Sequence, residues 1–117
     1  MSNVIKEKSF SFAVRVVDLC SELQSGRREF VISKQLLRSG TAIGALVRES
    51  VHAESRADFI HKLAIARKEA NETAYWIELL HASNYLPKSK FELLHQSATE
   101  LLRLLTRIIK SSKLRNL

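Results

Sequence analysis

The chain has 117 residues, of which 45% are apolar and 26% are charged, and its formal net charge is +7. This length suits one domain, 1–117, and the apolar content is sufficient for a hydrophobic core, which excludes a largely disordered chain. One proline and three glycines are too few turn formers for a many-stranded β fold. The composition therefore predicts a single basic helical domain.

Cysteine usage and hydropathy bear on the compartment. The lone Cys20 has no internal partner for a disulfide, which fits a reducing environment. No apolar run approaches the roughly 18 residues that a membrane helix needs. Lys6 and Lys8 interrupt the N-terminus before an apolar stretch of signal-peptide length. We therefore expect a cytoplasmic protein with no membrane partner.

Apolar residues recur at helical spacing in four segments. These run from about Ile5 to Leu23, from Ser33 to about Glu54, from Ser55 to about Asn84, and from Ser89 to about Lys113. Four long segments with short links predict an all-α fold, an antiparallel up-down-up-down four-helix bundle.

Several residues have the pattern of helix ends. Gly26 is expected just past the first helix, and Ser33 is expected to cap the second. The pairs Ser55–Asp58 and Ser89–Glu92 have capping-box spacing at the starts of the third and fourth helices.

The apolar positions also predict which face of each helix is buried. On the first helix the expected core stripe consists of Phe10, Ala13, Val16, Val17, Cys20 and Leu23. On the second helix, Gly40 and Gly44 leave the core stripe without a side chain, so that another helix can approach closely.

The second and third helices carry further apolar residues on the side opposite the core. These residues are Ala42, Ala45, Leu46 and Ala53, followed by Ile65, Trp76 and Leu79. A monomeric bundle has no second core to receive them, which predicts a subunit interface and hence a homo-oligomer. The alternative is that a bent helix or a long loop covers these side chains.

Two stretches carry a resemblance to a known family: LRSGTAIGALVRE at 37–49, and ADFIHKLAIARKEANETAYW at 57–76. They resemble the bacterial four-helix-bundle proteins called 23S rRNA intervening-sequence proteins, which are related to the accessory variability protein of diversity-generating retroelements. The resemblance implies an antiparallel bundle that assembles as a homo-oligomeric ring, typically a pentamer. It also implies nucleic-acid binding through basic surfaces, and it supplies no catalytic residues. Where the family pattern has a serine and an asparagine, this chain has Ala42 and Leu46, which favours packing at these positions.

Basic residues cluster in the last helix, which has no acidic residue after Glu100. The candidate nucleic-acid-binding residues are Arg103, Arg107, Lys110 and Lys113 on the fourth helix, with Lys34, Arg38 and Arg48 on the second. Guanidinium and ammonium groups in such stripes are the ligands that phosphates need. The alternative is a solvated face that only keeps the protein soluble. No motif for reading a base sequence is present, so binding is expected to be electrostatic.

Tests for catalytic chemistry are negative. Glu-x-x-His occurs three times, but only His81 is expected to face the core, so a metal site is not predicted. Cys20 lies on an apolar face, as a packed cysteine does. Glu69 and Glu72 are expected to form salt bridges to Arg67, Lys68 or a neighbouring subunit.

The sequence therefore predicts a non-enzymatic helical bundle with no cofactor and no metal. The predicted protein forms a homo-oligomer and binds RNA or other nucleic acid. The alternative is an interaction scaffold that docks a protein partner and has no nucleic-acid role.

Overall fold

The computed structural model describes residues 3–115, and it has four helices and no strand in that range. Helix α1 spans Asn3–Gly26, α2 spans Val31–Val51, α3 spans Arg56–Ala82 and α4 spans Lys88–Leu114. The four predicted helices are confirmed, with ends that differ by a few residues. The largest differences, of three residues, are at the end of α1, which continues to Gly26, and at the end of α2, which stops at Val51 and leaves Ala53 in the link to α3.

Consecutive helices pack against each other, and α1 closes the bundle through a looser contact with α4. Among these four helices, no Cα of α1 lies within 8 Å of α3, and none of α2 lies within 8 Å of α4. The molecule measures 50 × 21 × 20 Å. The contacts fit a four-helix bundle in which α2 and α4 occupy opposite corners, as do α1 and α3.

The core lies between the helices and takes side chains from all four of them. Its largest fully buried members include Phe12, Leu36, Ile43, Leu63, Ile77, Leu80, Leu101 and Leu105. Burying one such side chain stabilises the fold by about 1.5–3 kcal/mol relative to leaving it exposed. Together with the other buried residues of each helix, they recur at three- and four-residue intervals, which is why the pattern predicts helices.

The buried stripe of α1 differs from the predicted one. Val16 is fully buried as expected and Phe12 is 1% exposed, whereas Phe10 and Val17 are 55% and 48% exposed. The assignment of Phe10 and Val17 to the core was therefore wrong. The apolar side chains of α1 point in most directions around the helix, so helical periodicity is consistent with more than one buried stripe. The approach of α2 selects one of them.

Gly40 and Gly44 lie where α1 approaches α2 most closely. A Cβ atom at Gly40 would meet both methyl carbons of Val16 at 3.0 Å. At Gly44 it would lie 3.4 Å from the carbonyl oxygen of Ser9, which is ordinary van der Waals contact. The predicted close approach is confirmed, and Gly40 is the tighter of the two positions, where a Cβ atom would force Val16 to shift.

The predicted cap of α3 is confirmed and that of α4 is wrong. The Ser55 hydroxyl accepts a hydrogen bond from the backbone N–H of Asp58 at 3.0 Å, and the Asp58 carboxylate accepts one from Glu54 at 3.2 Å. Ser89, by contrast, lies inside α4, which starts after Pro87 without a side-chain cap. Proline has a fixed φ that suits the start of a helix, so α4 begins earlier than the capping pattern suggests.

Gly26 does not take the expected position after α1, because it is the last residue of that helix. Arg28 adopts the left-handed backbone conformation instead, with φ 51°. The turn is closed by the backbone N–H of Glu29, which donates to the carbonyl oxygen of Leu23 at 2.9 Å.

Ser33 does not cap α2, as was predicted, because it lies inside that helix. The Glu29 carboxylate accepts hydrogen bonds from the backbone N–H groups of Val31, Ile32 and Ser33 at 3.1, 3.0 and 2.7 Å. This side chain thus occupies the place of an anion at the positive end of the helix dipole.

Candidate nucleic-acid interface

The cations predicted on α4 form one exposed stripe. All four are exposed: Arg103, Arg107 and Lys110 lie on the side of α4 opposite the buried Leu101 and Leu105, and Lys113 lies at the edge of that side. Within the described part of the chain, none of these four cations makes an ion pair or a hydrogen bond.

Glu100, the acidic residue closest in sequence to this stripe, lies one turn before Arg103 on the same side of α4, where its charge is paired. The Glu100 carboxylate accepts from the Lys8 ammonium of α1 at 3.2 Å. No acidic side chain follows Glu100 in the chain. The stripe is therefore an uncompensated positive surface, which attracts anions more strongly than an equal number of paired charges does.

The cations predicted on α2 do not join this stripe. Arg38 donates to the carboxylates of Glu69, at 2.9 Å, and of Glu72, while Arg48 lies over the ring of Phe10, 5.3 Å from its centroid. Lys34 is exposed and unpaired in the described residues. Since α2 and α4 occupy opposite corners, the seven predicted cations belong to two separate surfaces.

The register between α3 and α4 adds two cations that the sequence analysis assigned elsewhere. His95 and Glu78 are 2.9 Å apart, and the rings of His81 and Phe91 stack at 4.2 Å. From the first pair to the second, the residue number rises along α3 and falls along α4. Continuing this register by about three turns from Glu78 and His95 brings the segment around 67–68 opposite the segment around 105–106.

This register puts Arg67 and Lys68 of α3 at the level of the α4 stripe. The sequence analysis expected them to pair with Glu69 and Glu72, but Arg38 of α2 occupies both carboxylates. Neither Arg67 nor Lys68 has an ion-pair partner among residues 3–115. We call the set Arg67, Lys68, Arg103, Arg107, Lys110 and Lys113 the α3–α4 basic face. Helix periodicity could not find it, because the sequence does not state which helices are neighbours.

The residues predicted to form a subunit interface lie on α2, α3 and the link between them. Ala42, Leu46, Ala53, Ile65, Trp76 and Leu79 are half-buried, and Ala45 is exposed. The chain itself covers part of this surface: Leu46 and Trp76 pack against the core, and the Trp76 indole N–H donates to Glu72 at 2.9 Å.

A more exposed apolar surface lies on α1, where the sequence analysis placed core residues. Phe10, Val14 and Val17 recur at four- and three-residue intervals, and each is about half exposed. We call these three residues the α1 stripe. A shallow groove of about 240 Å³ runs beside it between α1 and α2, lined in part by Phe10 and Ala45.

Residues 3–115 include the histidine, glutamate and cysteine side chains that the sequence analysis considered for metal binding and catalysis. No group of three His, Cys, Asp or Glu side chains in this range has an arrangement that could hold a metal ion. His81 donates through Nδ1 to the carbonyl oxygen of Leu86 at 2.9 Å, and His95 contacts Glu78. Burial and then the nearby Glu29 carboxylate raise the pKa of the Cys20 thiol to about 11, which disfavours the nucleophilic thiolate.

None of the four helices described is long and apolar enough to cross a membrane.

Comparisons with known proteins agree with the fold and with the resemblance. The chain is similar to a solved structure from Bacteroides thetaiotaomicron, a protein of unknown function from the S23 ribosomal protein family, with 54% identity and a TM-score of 0.90. The match covers 91% of this chain and 98% of that one. No curated protein matches the sequence significantly. The family model described as 23S rRNA-intervening sequence protein matches residues 1–107. The chain therefore belongs to the 23S rRNA-intervening sequence protein family.

Proposed function

We propose that this protein is a non-enzymatic, oligomeric, cytoplasmic helical bundle that binds RNA or other nucleic acid electrostatically. The observation that carries the proposal is the α3–α4 basic face, whose six cations lack acidic partners in the described residues. The name of the family refers to 23S rRNA, which favours RNA as the partner. Lysine and arginine that neutralise phosphates release counterions, and this release supplies sequence-independent affinity.

Charge reversal on α4 tests the proposal. The variant Arg103→Glu/Arg107→Glu/Lys110→Glu is expected to bind structured RNA at least about tenfold more weakly at about 0.1 M salt. If each cation contacts one phosphate, the slope of log affinity against log salt falls by about 2 to 3. Fluorescence anisotropy with labelled RNA at several salt concentrations measures both quantities.

The control has the same change in net charge elsewhere. Lys6→Glu/Arg56→Glu/Lys88→Glu alters three exposed cations near helix N-termini, where glutamate is tolerated. A third variant, Lys34→Glu/Arg48→Glu, tests the surface of α2. Equal losses in the α4 variant and in the control of the same net charge would mean that only net charge matters, and unchanged affinity in the α4 variant would contradict the assigned site.

We infer an antiparallel arrangement of the helices. Its support is the order of cross-helix pairs: Lys8 with Glu100 and Glu22 with Lys90 between α1 and α4, and Arg38 with Glu69 and Glu49 with Lys62 between α2 and α3. The links between consecutive helices are four or five residues long, and short links of this kind suit antiparallel neighbours.

We further propose that the oligomer is a closed ring, for which the resemblance implies a pentamer. A ring needs two different surfaces on each subunit, because its contacts are head-to-tail. The interface predicted on α2 and α3 is one such surface. The α1 stripe is a second, since it exposes apolar side chains that a monomer leaves in water.

The α1 stripe provides a cleaner test of assembly than Trp76, whose replacement also disturbs the core. Val17→Asp is expected to yield smaller folded species, because a buried unpaired carboxylate opposes association. Leu93→Asp, at a 64% exposed position on α4, serves as the control. Light scattering coupled to gel filtration measures the mass. A Val17→Asp oligomer of wild-type mass would contradict the role of the α1 stripe, and a monomeric wild type would contradict the ring.

The second candidate is a scaffold that docks a protein partner. The half-exposed α1 stripe favours it, since apolar surfaces of this kind also bind other proteins. Recovery of one protein in stoichiometric amount after nuclease treatment, together with no RNA binding at low salt, would support the scaffold over the nucleic-acid proposal.

A further inference from the structure

An exposed aromatic side chain lies in the middle of α3. Tyr75 is 55% exposed, and its hydroxyl has no hydrogen-bond partner in the described residues. Its ring packs edge-to-face against the ring of Trp76, with centroids 5.0 Å apart and planes at 69°. An aromatic residue of this kind adds nothing to the core and presents its ring to solvent.

Tyr75 belongs to the same surface of α3 as a cation of the α3–α4 basic face. Lys68, Asn71 and Tyr75 recur at three- and four-residue intervals and are all exposed. Along the helix, Lys68 and Tyr75 are about 10 Å apart. Trp76, the next residue, is rotated by about 100° toward α2, so the proposed subunit interface does not include this surface.

The register between α3 and α4 brings Tyr75 close to the stripe on α4. Continuing from Glu78 and His95 by about one turn places Tyr75 opposite the segment around residue 98. Arg103 lies little more than one turn further along α4, on its exposed side. The acidic residues in this stretch of both helices all have partners: Glu69 and Glu72 contact Arg38, Glu78 contacts His95, and Glu100 contacts Lys8.

We infer that the α3–α4 basic face is a binding site for single-stranded nucleic acid, in which Tyr75 stacks on an unpaired base while Lys68 and Arg103 contact the backbone phosphates. The inference rests on the proposed function and narrows it to unpaired strands. Cationic grooves with an aromatic platform bind single strands without sequence preference, because every base has a π face. In a duplex the base faces are stacked on each other, so Tyr75 adds nothing to duplex binding.

Two substitutions at Tyr75 test the inference. The probes are a labelled single-stranded RNA of about 12 nucleotides, a length within the roughly 4–16 nucleotides of typical single-strand sites, and the duplex of the same sequence. Tyr75→Ala is expected to weaken binding of the single strand about 5- to 150-fold, the range for loss of one base–aromatic stack. Tyr75→Phe keeps the ring and is expected to retain wild-type affinity. Affinity for the duplex stays the same in both variants.

The salt dependence separates stacking from charge. Tyr75→Ala removes no charge, so the slope of log affinity against log salt is expected to match that of the wild type. The α4 charge-reversal variant lowers that slope. A merely structural role for Tyr75 would reduce binding of both probes together, and the thermal unfolding midpoint of each variant checks for that effect.

Trp76 supplies a spectroscopic readout, because it is the only tryptophan in the chain. Its ring centroid lies 5.0 Å from that of Tyr75, so a base that stacks on Tyr75 comes close to the indole. Addition of the single-stranded RNA is expected to change the tryptophan emission of the wild type and of Tyr75→Phe. The change is expected to be lost in Tyr75→Ala.

Failure of the proposed function and failure of the present inference give different results. If the wild type binds neither RNA at low salt, the proposed function fails. If it binds both but Tyr75→Ala binds the single strand as tightly as the wild type, only the present inference is overturned. Displacement of the single strand by polyglutamate at equal charge concentration would also overturn it, because the face would then recognise acidic chains in general.

Discussion

Replacement of Phe12 by alanine is expected to lower the free energy of unfolding by about 3–5 kcal/mol, the usual cost of truncating a buried phenylalanine. Phe12 is 1% exposed and belongs to the core of the bundle. Its removal leaves a cavity that the surrounding helices fill only in part. Urea unfolding followed by circular dichroism at one low protein concentration measures the loss.

Phe10 is the matched control, two residues away on the same helix. Phe10→Ala removes a ring that is 55% exposed and lies under the Arg48 guanidinium, so it is expected to cost less than about 1 kcal/mol. Because association adds to apparent stability, an effect of Phe10→Ala that grows with protein concentration would instead report the subunit interface. A larger cost for Phe10→Ala than for Phe12→Ala at low concentration would show that the other stripe of α1 is buried.

Replacement of Glu29 by alanine is expected to destabilise the fold by about 2–3 kcal/mol, because three backbone N–H groups at the start of α2 lose a charged acceptor. Glu29→Gln keeps the shape and one acceptor oxygen, so a smaller loss is expected. The control is Glu92→Ala, which removes an exposed carboxylate from the first turns of α4 without breaking a cap. Equal stability of Glu29→Ala and the wild type at pH 7 would contradict the capping role.

The contribution of Glu29 depends on pH in a defined direction. Although burial alone would raise the pKa of this carboxyl, the hydrogen bonds from Ile32, Ser33 and Val31 lower it below the ordinary value of 4.5. The stabilisation is therefore complete above about pH 4.5 and is lost as the pH falls through the lower pKa of the folded state. The difference in unfolding free energy between the wild type and Glu29→Gln is expected to be constant between pH 5 and 8 and to shrink below about pH 4.5.

The candidate site was predictable in so far as it lies on one helix. Arg103, Arg107 and Lys110 lie about a turn apart on α4 and away from its apolar stripe, so a helical wheel alone places them together. The wheel could not exclude Arg38, because the partner that neutralises it, Glu69, is on another helix. It could not include Arg67 or Tyr75 for the same reason.

Local patterns determined the features that depend on a few consecutive residues. The sequence alone predicts four helices, an all-α class and the Ser55 cap of α3, since apolar periodicity and hydrogen bonds between near neighbours act over one or two turns. The family resemblance was also readable from two stretches of sequence, and the match over residues 1–107 confirms it.

Where two residues suit the same local role equally well, only the tertiary structure determined which of them takes it. Phe10 and Phe12 both suit a helix, and the packing of α2 on Val16 determines which of them is buried. Ser33 is a better cap by composition than Glu29, but the turn at Arg28 directs the Glu29 carboxylate onto the helix N-terminus. Burial and charge compensation are sums over neighbours that are distant in the chain, so they arise only when the four helices are packed together.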